Sequence, residues 1–141
     1  MLLHPALVHF PIALLIAAGV FYGAARFREA ATMYRAGWLL HLAGLVSVVV
    51  AVLSGNAAQG DLVLTPSLEA DLKTHQLLGY ATLWVFALLA VWQYLRQGRG
   101  QPREQWLFLM VYWLGLGLMA YGAWHGGHMV YAHGAGVAPV P

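Results

Sequence analysis

The chain has 141 residues, of which 61% are hydrophobic and 9% charged, with a formal net charge of +2. Soluble domains carry roughly 25% charged residues, so this is the composition of a membrane protein, and so small and dispersed a positive charge excludes a nucleic-acid surface. The absence of cysteine excludes c-type haem attachment, thiolate-held iron–sulfur clusters and disulfides.

Four apolar runs follow one another, Pro5 to Ala25, Gly37 to Ala57, Leu77 to Leu95 and Trp106 to Trp124. Each is long enough to cross a hydrocarbon core of ~30 Å, which takes roughly 20 helical residues. Backbone groups cannot stay unpaired in lipid, and the alternation of a barrel strand is absent, so the runs predict helices. The fold expected is an all-α membrane protein, an antiparallel four-helix transmembrane bundle forming one domain over residues 1–141. Its helices are expected at about 5–26, 36–57, 74–96 and 104–126, with an extended tail over 132–141.

The first run has no Lys or Arg ahead of it and reads as a retained helix rather than a signal peptide. Pro5 suits a first helical turn. Pro11, one turn deeper, should loosen the start and free a carbonyl near residue 7. Gly19 and Gly23 form a small-xxx-small pair that permits close helix contact. Thr65-Pro66, followed by Glu69 and Asp71, predicts the start of a short surface helix leading into the third span. The fourth span should fray at Gly126-Gly127. Trp38, Trp92, Trp106 and Trp124 lie near span boundaries as interface anchors, whereas Trp84 and Trp113 are deeper and are expected to pack in the bundle.

The charges orient the chain. Arg26, Arg28 and Arg35, against Glu29, follow the first span. Arg96, Arg99 and Arg103, with Glu104, follow the third. The central loop holds Asp61, Glu69 and Asp71 with Lys73 as its only base, and the termini have no Lys or Arg. The positive-inside rule places both Arg-rich loops in the cytoplasm and both termini on the periplasmic side of a multi-pass bacterial inner-membrane protein. Six of the seven histidines then gather at the outer face: His4, His9, His75, His125, His128 and His133. His41 alone lies toward the other side.

A histidine in a membrane helix is a functional hypothesis by default, and neutral imidazole ligates haem iron, Zn and Cu. A b-type haem needs two axial ligands on facing helices, and His9 and His75 meet that requirement. His125 and His128, three residues apart on one helix face, are substitutes. His4 and His9 point roughly 140° apart on a regular helix and do not share a metal there. A second haem site can be drawn from His41 and Met110, with Arg35 and Arg103 for propionates. A dissociable Cu or Zn ion held by His125, His128 and His133, helped by His4 or Met129, is a further reading. A cofactor-free accessory or assembly subunit is another. Hydrolytic chemistry ranks low: no Ser lies near a plausible base, and no carboxylate pair, phosphate loop or HExxH is present.

The stretches HPALVHFPIAL, SGNAAQGD, KTHQLLG and GGHMVYAHGAGV resemble the bacterial membrane family known as domain of unknown function 2231, and the likeness touches all four spans. It implies a four-helix membrane bundle in redox company, since some members look fused or linked to Rieske or cytochrome c domains. His4, His9, His75 and His133 fall in the shared motifs; His41, His125 and His128 do not. The function expected is a small b-type haem subunit carrying electrons near the periplasmic face. His9 and His75 would be axial ligands, and His4, His125, His128 and His133 alternative or supporting groups. Its partners would be the lipid bilayer, other membrane or periplasmic redox subunits, and a quinone.

Overall fold

The computed structural model describes residues 3–27, 30–96 and 99–136. Arg28 and Glu29 of the first loop and residues 137–141 of the expected tail lie outside them. The described residues are all-helical, with four helices long and apolar enough to cross a membrane. The first span is α1 (Leu3–Leu7) and α2 (His9–Ala24), then come α3 (Ala30–Ala58), a single 3-10 turn at Gln59–Asp61, α4 (Pro66–Arg96) and α5 (Pro102–His133). The interruption at Val8 falls where Pro11, which has no N–H, leaves the carbonyl of residue 7 without its helical donor. Val8 itself keeps helical angles, φ −65° and ψ −19°, so the span loosens there without turning.

Two boundaries differ from those the sequence suggested. Thr65 caps α4, its hydroxyl accepting the Leu68 N–H at 3.3 Å. From there the helix runs unbroken for 31 residues, so no separate surface helix precedes the third span. Likewise α5 does not fray at Gly126-Gly127 but continues to His133. It stops where Gly134 takes the left-handed conformation, φ 65°. There the Gly134 and Ala135 amides bond back to the Val130 and Met129 carbonyls, a Schellman-type closure. At 1.5 Å per residue these helices are ~46–48 Å long, well beyond the hydrocarbon thickness. Their ends therefore carry polar groups past the lipid while remaining helical.

The helices pack in a ring, α2 on α3, α3 on α4, α4 on α5 and α5 on α2, so α2 faces α4 diagonally and α3 faces α5. The centre of the ring is aromatic. Phe86 and Tyr112 are wholly buried with Leu15, and Tyr112 donates its hydroxyl to the Leu15 carbonyl at 3.1 Å. Outward faces are also apolar: Leu39, Val46, Leu53, Leu88 and Leu114 are exposed, as a lipid-facing surface requires. Trp84 and Trp113, expected inside the bundle, belong to this surface, 66% and 49% exposed. The core volume at their depth is taken by Phe86 and Tyr112 instead.

Close approach of the paired helices depends on glycine. A Cβ at Gly44 would lie 2.7 Å from Leu15 Cδ2, and one at Gly115 2.9 Å from Val85 Cγ1. Of the Gly19/Gly23 pair, only Gly19 touches a neighbour, the Tyr112 ring. Because Leu15 is wholly buried, Gly44→Ala should destabilise the bundle by about 1–3 kcal/mol, the usual cost of overpacking. Gly117→Ala, with nothing within 4 Å of the new methyl, should leave stability unchanged or slightly raised. Thermal unfolding of the two variants in detergent, followed by circular dichroism, measures the contrast.

Candidate metal centre at the histidine end

At one end of the ring the starts of α1 and α4 meet the ends of α3 and α5. Two histidines from different spans face each other there. His4 on α1 sends Nδ1 to Ser54 Oγ on α3, at 2.9 Å. Ser54 commits its own hydroxyl proton to the Ala51 carbonyl, at 2.9 Å, so the imidazole must be the donor in the His4–Ser54 bond. His75 on α4 sends Nδ1 to the Gly122 carbonyl on α5, at 2.9 Å, and a carbonyl can only accept. Both rings are therefore held as Nδ1–H tautomers with a lone pair at Nε2. Neither Nε2 has a hydrogen-bond partner among the described residues.

The two ring centroids are 6.3 Å apart, with planes at 82°. Two imidazoles bound through nitrogen on opposite sides of one metal, at about 2.0–2.1 Å each, would have a centroid separation of about this size. Each ring also lies against a glycine. A Cβ at Gly55 would meet His4 Cε1 at 2.9 Å, and one at Gly126 would meet His75 Cε1 at 3.0 Å. Both rings occupy space that any larger residue would fill. A carbonyl or hydroxyl fixing the far nitrogen is the usual support of a metal-bound histidine.

One helical turn before His75, Asp71 lies on the same side of α4. Its Oδ2 accepts from His128 Nδ1 at 3.2 Å and from His133 Nε2 at 2.9 Å. His125 Nδ1 is 3.9 Å from Asp71 Oδ1, beyond hydrogen-bond reach. The continuation of α5 past its glycine pair is what carries His128 and His133 over Asp71.

The remaining expected site residues lie elsewhere. His9 sits on an exposed face of α2, so the partner of His75 is His4 and not His9. The roughly 140° between them on a regular helix is kept, since Val8 holds helical angles: His4 turns toward α3 and α4 while His9 turns outward. His41 is 0% exposed. Its Nε2–H donates to the Phe86 carbonyl at 3.0 Å, which leaves Nδ1 to accept from the Tyr22 hydroxyl at 3.3 Å. Tyr22, Trp38, Phe86 and Tyr112 enclose the ring edge-on. Met110 is 60% exposed on α5, Arg103 is exposed, and Arg35 lines a cleft with Arg26, Arg96 and Arg99. The structure does not gather His41, Met110, Arg35 and Arg103 into one site.

Sequence reasoning left out three groups that shape this end: Asp71, Ser54 and the Gly122 carbonyl. Asp71 and His75 are four apart, which places both on one helix face, but only if the helix begins at Pro66. A backbone carbonyl leaves no trace in the sequence.

With both nitrogens bonded, His41 serves packing. His41→Ala should cost about 3–5 kcal/mol, as for other large buried rings, and Tyr22→Phe about 0.5–1.5 kcal/mol for one lost hydrogen bond. Thermal melts in detergent check both values, and neither variant should change any metal or pigment content.

The family model described as "Predicted membrane protein (DUF2231)" matches residues 2–139, and the chain belongs to that family. Neither the curated proteins nor the solved structures contain a match to it.

Proposed function

We propose, for this member of a membrane family, the role of a small b-type haem subunit in which His4 and His75 would hold the haem. The observation that carries this reading is the neighbouring pair of imidazoles on α1 and α4, each with Nδ1 hydrogen-bonded, 6.3 Å between centroids. The donor count favours haem over a bare ion. Among the described residues no third His, Asp or Glu joins this pair in a ligand group, and zinc takes four ligands. An iron whose equatorial positions are filled by a porphyrin needs only two. When bound, the haem would supply one-electron transfer.

The protein's own part is orientation and tuning. Ser54 and the Gly122 carbonyl hold the imidazoles in the tautomer that presents Nε2 and make them more basic ligands. Gly55 and Gly126 supply the room beside the rings. The arginine-poor, histidine-bearing end faces the periplasm of a bacterial inner membrane, by the positive-inside rule. Electrons would exchange there with a quinone or a periplasmic redox partner. His9, exposed on α2, is not a ligand in this reading.

Protein purified in detergent from haem-replete cells should carry stoichiometric iron and a reduced b-type spectrum. His4→Ala and His75→Ala should each remove or shift that spectrum, while His9→Ala keeps it. Colourless wild-type protein that also takes up no added haemin would overturn the reading and leave a cofactor-free accessory subunit. Stoichiometric copper without iron at His4 and His75 would replace haem by a two-coordinate cuprous ion.

Orientation has its own check. The chain has no cysteine, so Thr65→Cys and Arg99→Cys introduce unique thiols at opposite ends. Thr65→Cys should react with an impermeant maleimide on intact spheroplasts, and Arg99→Cys only after lysis.

A further inference from the structure

The second histidine cluster is distinct in chemistry from the His4–His75 pair. We infer that Asp71, His128 and His133 form a binding site for a divalent first-row transition-metal ion, with His125 as a fourth ligand drawn in when the ion binds. One ligand atom from each of Asp71, His128 and His133 lies within 4.8 Å of the other two. Two imidazoles and one carboxylate suit zinc, cobalt, nickel or copper and do not suit magnesium or calcium, which take oxygen ligands.

Hydrogen bonding alone accounts for the contacts of His128 and His133 with Asp71. It does not account for His125. That side chain is only 12% exposed, and both its ring nitrogens are buried with no hydrogen-bond partner among the described residues. A buried polar group left without a hydrogen bond is destabilising. Imidazole is amphoteric, and hydrogen bonds are easily found for it at a helix end beside a carboxylate. Instead the ring is held by Tyr121 and Trp124, at centroid distances of 4.8 and 4.9 Å. Its Nδ1 stops 3.9 Å from Asp71 Oδ1, close enough for one ion to join both.

The fold gathers these groups at little cost in freedom. His125 and His128 are three residues apart on α5. His133 is the last residue before the left-handed Gly134, whose amide bond to Val130 at 3.0 Å pins the helix end. Asp71 projects from α4. The nearby Lys73 is engaged by Glu69 at 2.7 Å, so the one lysine of this region does not compete for Asp71. Trp124 stacks on His128 at 5.6 Å, which places a fluorophore beside the site.

The test uses the full chain in detergent, stripped with chelator and titrated with Zn²⁺ by calorimetry and with Co²⁺ by absorption. One ion per chain should bind, and Co²⁺ should develop the intense visible bands of four-coordinate geometry. It should also quench tryptophan fluorescence, with Trp124→Phe removing most of the quenching. Asp71→Asn keeps the size of the side chain and so the fold. With His133→Ala, it should weaken Zn²⁺ by roughly 100-fold or more, beyond the 10–100-fold of outer-shell substitutions. His125→Phe should weaken Zn²⁺ and convert the cobalt spectrum to a weaker, higher-coordinate one. Equal Zn²⁺ affinity in wild type and Asp71→Asn would overturn the site. An unchanged cobalt spectrum in His125→Phe would overturn the fourth ligand. His4→Ala and His75→Ala should leave Zn²⁺ binding intact, which separates failure here from failure of the haem reading.

Discussion

Lipid offers no hydrogen bonds, so each polar atom inside this bundle must find its partner within the protein or remain unpaired at a cost. That constraint sorts the histidines. His41, deepest in the ring, has both nitrogens bonded and four aromatic rings around it. His4 and His75 have one nitrogen bonded and one without a partner. His125 has neither bonded. An imidazole that is fully satisfied has nothing left to offer an ion. One that is half satisfied is already oriented with its lone pair free. Hydrogen-bond accounting, more than burial or position, separates a packing histidine from a ligand.

The accounting depends in turn on how closely the helices approach. His4 reaches Ser54, and His75 reaches the Gly122 carbonyl, because Gly55 and Gly126 leave the space that the rings occupy. A carbonyl inside a helix is already an acceptor for its own ladder. It takes a second donor only when another helix brings one close, and α4 does so along the glycine side of α5. The same device operates deeper in, where Tyr112 bonds the Leu15 carbonyl over Gly19. Small residues here make main-chain oxygen available to side chains of the neighbouring helix.

The four spans were legible from composition and run length, because the requirement to cross lipid with every amide bonded admits little else. The ends of the helices were less so. Gly126-Gly127 reads as a breaker in water, yet α5 passes through it. A segment packed along α4 is held by contacts that outweigh a propensity loss of about 1 kcal/mol per glycine. The facing of Trp84 and Trp113 was not legible, because outward and inward sides are equally apolar in a lipid-facing helix and periodicity carries no signal. The gathering of histidines at one end followed from charge and span order. The partner of His75 did not, since the sequence places His4 and His9 on opposite sides of one helix and does not say which side faces α4.

Helix α4 ties the two clusters together. Asp71 and His75 are one turn apart on it, and their partners, His128 and His133 for the first and the Gly122 carbonyl for the second, all lie on α5. A change in how α4 and α5 meet therefore reaches both. At the opposite end the described arginines bond Glu104 and Gln105 or line an open cleft. The molecule is thus chemically polar along its axis. Imidazoles with spare lone pairs stand at one end and arginines at the other, with a closed aromatic plug around His41 between them.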